Sequence, residues 1–242
     1  MSKVTGEVTG VVVTESTAVV SIEDQLKARL ALQAESTKKL QTGTNRIGFK
    51  GGVLQIDGQI VPSGKAKVIV LATQPVRAFY DGPFNPDVAQ TPACYSFDMV
   101  APHPEAQKPI QERCEGCPNN KFGTAAVGKG KACKESARIA MVSANTDFAS
   151  ATIYQASVPV TSLPTVENFA NRAAGAGKLV GQFIAELRVK PDAKKFFTVE
   201  LEVEGMHDVG LELLFKRTDE GVAAISEPFP VMDAPAEESK KY

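Results

Sequence analysis

Four cysteines carry the strongest chemical signal in the sequence. Cys94, Cys114, Cys117 and Cys133 follow the spacing C-x19-C-x2-C-x15-C. A C-x-x-C pair lets two thiolates reach one ion from a tight turn, and two flanking cysteines complete a tetrahedron. Gly116 stands between the paired cysteines and Pro118 follows them directly, as at many metal knuckles. The surrounding stretch is rich in Pro, Gly and Lys and offers little to bury four free thiols. One metal ion is therefore the expectation, zinc before a [4Fe–4S] cluster, with free thiols or disulfides as the plain alternative. Four protein ligands leave no open position for water, so such a site is structural, not catalytic. His103 is an alternative fourth ligand in place of Cys94, and His207 reads as a surface residue.

Inside the cluster, Gly123 to Gly130 satisfies most of the phosphate-loop pattern GxxxxGK[ST]. It lacks the hydroxyl that holds magnesium, because Gly130 stands in that place, and it follows a cysteine knuckle where a phosphate loop follows a buried strand. A Gly/Lys loop able to lie against polynucleotide phosphates is the better reading. Enzyme signatures such as HExxH and GxSxG are missing, and the carboxylates are not grouped to hold magnesium. The expectation is a binding protein with no catalytic residue.

These residues need a scaffold. The chain has 242 residues, 43% hydrophobic and 23% charged, with a net charge of −1 and no Trp. That balance suits a soluble globular domain with a real core. No apolar run approaches a membrane span and no secretion signal opens the chain, so a cytoplasmic setting is expected. Residues 1–20 read as a flexible arm, and Ser21 with Asp24 as a capping box for a helix ending near Gly43. Short strand candidates follow at Arg46–Gly51, Val53–Gly58 and Lys67–Thr73, split by Gly and Pro. The Pro-rich stretch from Pro75 to Gln111 reads as a long irregular excursion. Arg138–Val142 and Ser157–Val160 resume strands, Pro164–Ala176 reads as a helix, and Gln182–Val189 and Phe196–Glu204 as strands joined at Lys190–Ala193. Val209–Lys216 fits helix and strand equally. From Glu227 the chain is Pro-rich and acidic and reads as a disordered tail. The fold class expected is mainly β with some α: an OB-like β-barrel core over residues 21–226, with a metal-binding loop insertion at about 92–136 and a tail at 227–242.

Several segments resemble a group of bacteriophage-encoded proteins associated with single-stranded DNA binding in phage replication or transcription. They are Asn45-Arg-Ile-Gly-Phe-Lys, Phe79-Tyr-Asp-Gly-Pro-Phe-Asn-Pro, Pro92-Ala-Cys-Tyr, Cys114-x-x-Cys-Pro-Asn-Asn-Lys-Phe-Gly-Thr and Gly128-Lys-Gly-Lys-Ala-Cys133. The layout is also similar to the T-even type of phage single-stranded DNA-binding protein, with its OB-type barrel, zinc subdomain and acidic tail. There the ligand set mixes His and Cys, whereas this chain offers four Cys.

The resemblance implies single-stranded DNA as partner, a host-cell cytoplasmic location, and a role in phage replication, recombination or transcription. The acidic tail would meet replication or transcription proteins. Single-strand binders combine a basic groove with aromatic faces on which bases stack. The basic candidates are Lys65, Lys67, Arg77, Lys121, Lys129, Lys131 and Arg138; the aromatic ones are Phe79, Tyr80, Phe84, Tyr95, Phe97 and Phe122. Two other classes fit the same sequence: a structural or adaptor protein, such as a virion component or polymerase-recruiting factor, and an iron–sulfur enzyme of nucleic-acid processing.

Overall fold

The computed structural model describes residues 26, 27, 29, 45–82 and 90–229. The chain divides into a unit of residues 1–42 and a second of residues 43–242. In the first, Leu26, Lys27 and Arg29 are helical, inside the span expected as a helix. The arm at 1–20, the capping box at Ser21, Phe84 and the tail beyond Phe229 lie outside the described residues.

The second unit is built on one nine-stranded sheet. Its strands are β1 (Arg46–Gly48), β2 (Gln55–Ile56), β3 (Gln59–Ile60), β4 (Lys65–Phe79), β5 (Cys94–Ser96), β6 (Lys134–Ser143), β7 (Tyr154–Pro159), β8 (Phe183–Asp192) and β9 (Phe196–Met206). They run in the order β3-β2-β1-β7-β6-β4-β8-β9, with β5 added beside β4. All pairings are antiparallel except β1 with β7.

Chain length forces this sheet to curl. Between β3 and β4 lie residues 61–64 only, yet the two strands are five places apart in the sheet. Five flat inter-strand steps cover about 24 Å, whereas five extended Cα steps reach at most roughly 18 Å. The sheet therefore rolls into a half-barrel, which the short link closes across its mouth. The long strand β4 holds it together. It pairs with β6 along nearly its whole length, with β8 over Lys65–Val68 and with β5 over Arg77–Phe79.

Alternation along β4 and β6 sends side chains into two cores. Val68, Val70, Ile139 and Met141 point inside the curl, where α1 (Leu163–Gly175) inserts Val166, Phe169 and Ala173. Ile69, Leu71, Ala140 and Val142 point to the opposite face, which α2 (Leu211–Ser226) covers with Leu214 and Ile225. Ser162 anchors the start of α1: its hydroxyl accepts the Val199 amide at 2.8 Å, and Thr165 donates to the Val199 carbonyl at 2.6 Å. Gly221 lets α2 lie close, since a Cβ there would stand 2.7 Å from the Leu71 Cβ and 3.3 Å from the Ala140 Cβ.

Two expectations need correction, and one open choice is resolved. The excursion expected from Pro75 begins five residues later, because β4 continues to Phe79. Pro75 falls between the β8 and β5 contacts, where β6 is the only strand neighbour among the described residues, and a residue without an N–H is tolerated at such an edge. The ambiguous segment after Val209 is helical from Leu211. The sequence beyond Ser226 is not all tail: Phe229 packs with Tyr80 and Phe97 against Ala78, Tyr95 and Ala106. The coarse expectation holds, since the described unit is mainly β, with a curled half-barrel sheet and two α-helices. No helix of the described residues is long and apolar enough to cross a membrane.

Candidate metal centre and nucleic-acid interface

The end of β4 gathers the cysteines. Cys94 opens β5 and lies opposite Phe79; Cys133 immediately precedes β6, whose Lys134 lies opposite Ala78. These two strands flank β4, so the sheet fixes Cys94 and Cys133 on either side of its last residues. The other pair comes from a knuckle. The Cys117 amide donates to the Cys114 carbonyl at 3.4 Å, and Gly116 between them has φ 74°, a left-handed conformation that glycine adopts without strain. A 3₁₀ turn, Pro118–Asn120, follows. Asn120 returns its side-chain amide to the Cys114 carbonyl at 3.3 Å, and the Cys133 amide donates to the Asn119 carbonyl at 2.8 Å. The knuckle is thereby tied to the start of β6.

All four cysteines line one small cavity of about 20 Å³, together with Arg77 and Phe79. They also sense one another electrostatically. Burial pushes the Cys133 thiol up to about 11, and negative charge on Cys94, Cys117 and Cys114 would push the same way. Burial raises Cys94 too, against a backbone hydrogen bond from Ile110 that lowers it. Among the described residues no group of three or more His, Cys, Asp or Glu side chains is already arranged to hold a metal ion. What brings the four cysteines together is the one cavity that all of them line. The donor set nonetheless fits a soft cation: a bound cation would offset the desolvation that raises Cys94 and Cys133. The residues that would hold zinc are Cys94, Cys114, Cys117 and Cys133, and zinc would supply cross-linking of the loop, with no chemistry on a substrate.

His103 does not line this cavity. Its Nδ1 faces the Tyr95 hydroxyl at 3.0 Å and the Glu105 amide at 3.2 Å, and its ring stacks on Tyr95. His207 is half-buried and not a surface residue: its Nδ1 meets the Gly181 carbonyl at 3.0 Å and its ring sits edge-on to Phe148.

The nucleic-acid candidates separate into three groups. The first lies on the loop between the knuckle and β6. Lys121, Phe122 and Lys129 are exposed there, Phe122 at 81%, and the apolar Val127 at the tip is 90% exposed. The loop has internal order. The Gly123 amide donates to the Lys129 carbonyl at 3.1 Å, and the Thr124 hydroxyl donates to the Lys121 carbonyl at 2.7 Å. Lys131 reaches over the Phe122 ring at 5.2 Å and pairs with Glu135 at 2.9 Å. A strand follows this loop, not the helix that a phosphate loop requires.

The second group serves the fold. Tyr95 is 2% exposed and spends its ring on Phe97, His103 and Phe229, so it has no face left for a base; this corrects its assignment as a stacking residue. Tyr80 is half-buried, and desolvation raises its hydroxyl. Phe79 is turned to the cysteine cavity, and Arg77 bonds the Met99 carbonyl at 3.1 Å and Glu135 at 3.2 Å. Arg138 lies over the rings of Phe97 (4.6 Å) and Phe229 (4.1 Å), and its Nη1 donates to the Ile225 and Glu227 carbonyls at 2.9 and 2.6 Å. It fastens the end of α2 and is no free phosphate ligand in this arrangement. Phe229, hidden in an acidic Pro-rich context, and Val127 were not legible as site residues.

Lys65 and Lys67 form the third group, at the opposite end of β4. Lys65 pairs with Glu186 at 3.0 Å and Lys67 with Glu204 at 2.7 Å, both half in solvent. The Glu204 carboxylate raises Lys67 above the ordinary lysine value. Comparison with protein-family models, with curated proteins and with solved structures gives no significant match.

Proposed function

We propose that the chain is a sequence-tolerant single-stranded DNA-binding protein with an OB-like core and a structural zinc ion on Cys94, Cys114, Cys117 and Cys133. The observation that carries this reading is the loop at 121–131. It carries a nearly fully exposed Phe122 with the Lys131 ammonium 5.2 Å from its ring, on the same loop as Lys121 and Lys129 and between the cysteine knuckle and Cys133. An exposed aromatic ring amid ammonium groups suits base stacking with phosphate neutralisation, and carries no base-edge code. A sheet curled into a half-barrel supports the OB-like assignment. A cavity of about 20 Å³, near the size of one small ion or water, supports a single ion over an eight-atom cluster. The phage setting follows from the sequence resemblance.

The test is a fluorescence titration with single- and double-stranded oligonucleotides across a salt series. Tight single-strand binding whose log affinity falls linearly with log salt supports the reading. Absence of binding at low salt refutes it. One observation favours an adaptor instead: Leu179, Leu211 and Phe215 are all about half exposed around a shallow cavity between α1 and α2. Salt-insensitive capture of a protein partner with no oligonucleotide binding would mark that class.

A further inference from the structure

The mouth of the half-barrel holds a cavity of about 600 Å³. That volume is within the ordinary range for small-ligand sites, and barrel mouths are a preferred place for them. Its floor is apolar, formed by Ile47, Val68 and Met141 from strands β1, β4 and β6. Tyr154, half-buried at the start of β7, walls one part. The rim is polar, with Asn145 and Thr146 from the β6–β7 loop, and Lys65 and Lys67 from β4. An apolar floor with an aromatic wall suits a flat heteroaromatic ring; hydroxyl and amide groups suit its edge; two ammonium groups suit an attached anion.

From this arrangement we infer that the mouth takes one nucleotide of a single-stranded polynucleotide, with the base against Tyr154 and the flanking phosphates on Lys65 and Lys67. The inference rests on the single-strand-binding reading and adds a second contact region, distinct from the 121–131 loop. The two regions adjoin opposite ends of β4. Glu186 also lines the mouth and would repel a phosphate, but it is not left unpaired when Lys65 turns to DNA, because Arg188, which also serves Glu200 and Glu202, lies 3.3 Å from the same carboxylate oxygen. Exposed ion pairs such as Lys67 with Glu204 are worth little and exchange readily.

The experiment uses the full chain and an oligodeoxythymidylate carrying 5-bromodeoxyuridine, with Tyr154→Ala, Tyr154→Phe and Lys65→Ala with Lys67→Ala. Stacking is worth about 1–3 kcal/mol per base, so Tyr154→Ala should weaken binding by roughly 5- to 150-fold. Tyr154→Phe should bind like the wild type. The double lysine variant changes only surface side chains and should lower the salt slope by about 1.4, at roughly 0.7 for each phosphate of the single strand that is no longer neutralised. Photo-cross-linking should mark the peptide carrying Tyr154. If the wild type binds with a salt slope while the lysine variant keeps that slope and cross-links fall elsewhere, the mouth site is wrong and single-strand binding stands. If the wild type binds no oligonucleotide, both fall together.

Discussion

Gly221 offers the sharpest test of how α2 is docked. Replacement by alanine puts a methyl 2.7 Å from the Leu71 Cβ and 3.3 Å from the Ala140 Cβ. Both neighbours are Cβ atoms on the central strands β4 and β6, so neither can swing aside as a side-chain end would. Relaxed carbon contacts lie at about 3.5–4.0 Å, and the helix must retreat by close to 1 Å or the sheet must deform. Overpacking of this kind costs about 1–3 kcal/mol. Against it, alanine gains up to about 1 kcal/mol in helix propensity and unfolded-state entropy. Gly175, at the end of α1, supplies the control, because a Cβ there meets nothing within 4 Å. Gly175→Ala should be neutral or mildly stabilising, while Gly221→Ala should fall below it by about 1–3 kcal/mol and Gly221→Val further still. Urea unfolding with unchanged slopes gives both differences from the midpoints. If Gly221→Ala proves as stable as Gly175→Ala, or more stable, the close approach of α2 to the sheet is refuted.

Purified protein should contain about one zinc ion per chain by elemental analysis, and Cys117→Ser should lose it and speed proteolysis within residues 114–133; metal-free native protein would end the zinc assignment. Arg138→Ala removes two ring contacts and two hydrogen bonds to the end of α2, so amide exchange at residues 226–229 should accelerate with a stability loss of about 2–3 kcal/mol. Unchanged exchange there would show that Arg138 does not hold the segment. Asp233, Glu237 and Glu238 place negative charge beyond Phe229; deleting residues 230–242 should tighten single-strand binding at low salt and matter less at high salt, where screening is strong. Equal affinities of full and truncated chains across the salt range would deny the tail any competition with DNA.

Apolar runs made β8 and β9 legible from sequence, and β6 and β7 in part, while Pro164 marked α1. The convergence of the cysteines was legible from spacing alone, because a C-x-x-C knuckle needs little tertiary context. Other features depended on that context. The buried stripe of α2 is Leu214, Arg217, Gly221 and Ile225. Two of these four are not apolar, so the helical period is masked. Arg217 is 6% exposed only because it finds the Ala151 carbonyl and Glu220 beside it. Pro75 reads as a breaker unless one knows that its strand lacks a second neighbour there. Tyr95 and Phe122 look alike in sequence, near lysines and cysteines, and only burial tells the structural ring from the exposed one.

The central place of β4 also sets an order of events during synthesis. Its first residues pair with β8, which begins at Phe183, and its outer face is covered by α2, which begins at Leu211. A ribosome adding about 5–20 residues per second needs roughly 6–24 s to travel from Lys65 to Phe183. Throughout that interval the nascent chain presents an unpaired strand edge, and the face of its apolar run Val68 to Ala72 that α2 covers stays bare, since only α1 has been made by then. Pairing so distant in sequence is slow in any case. Until the last quarter of the chain has emerged, the incomplete half-barrel therefore exposes a segment that favours edge-to-edge aggregation.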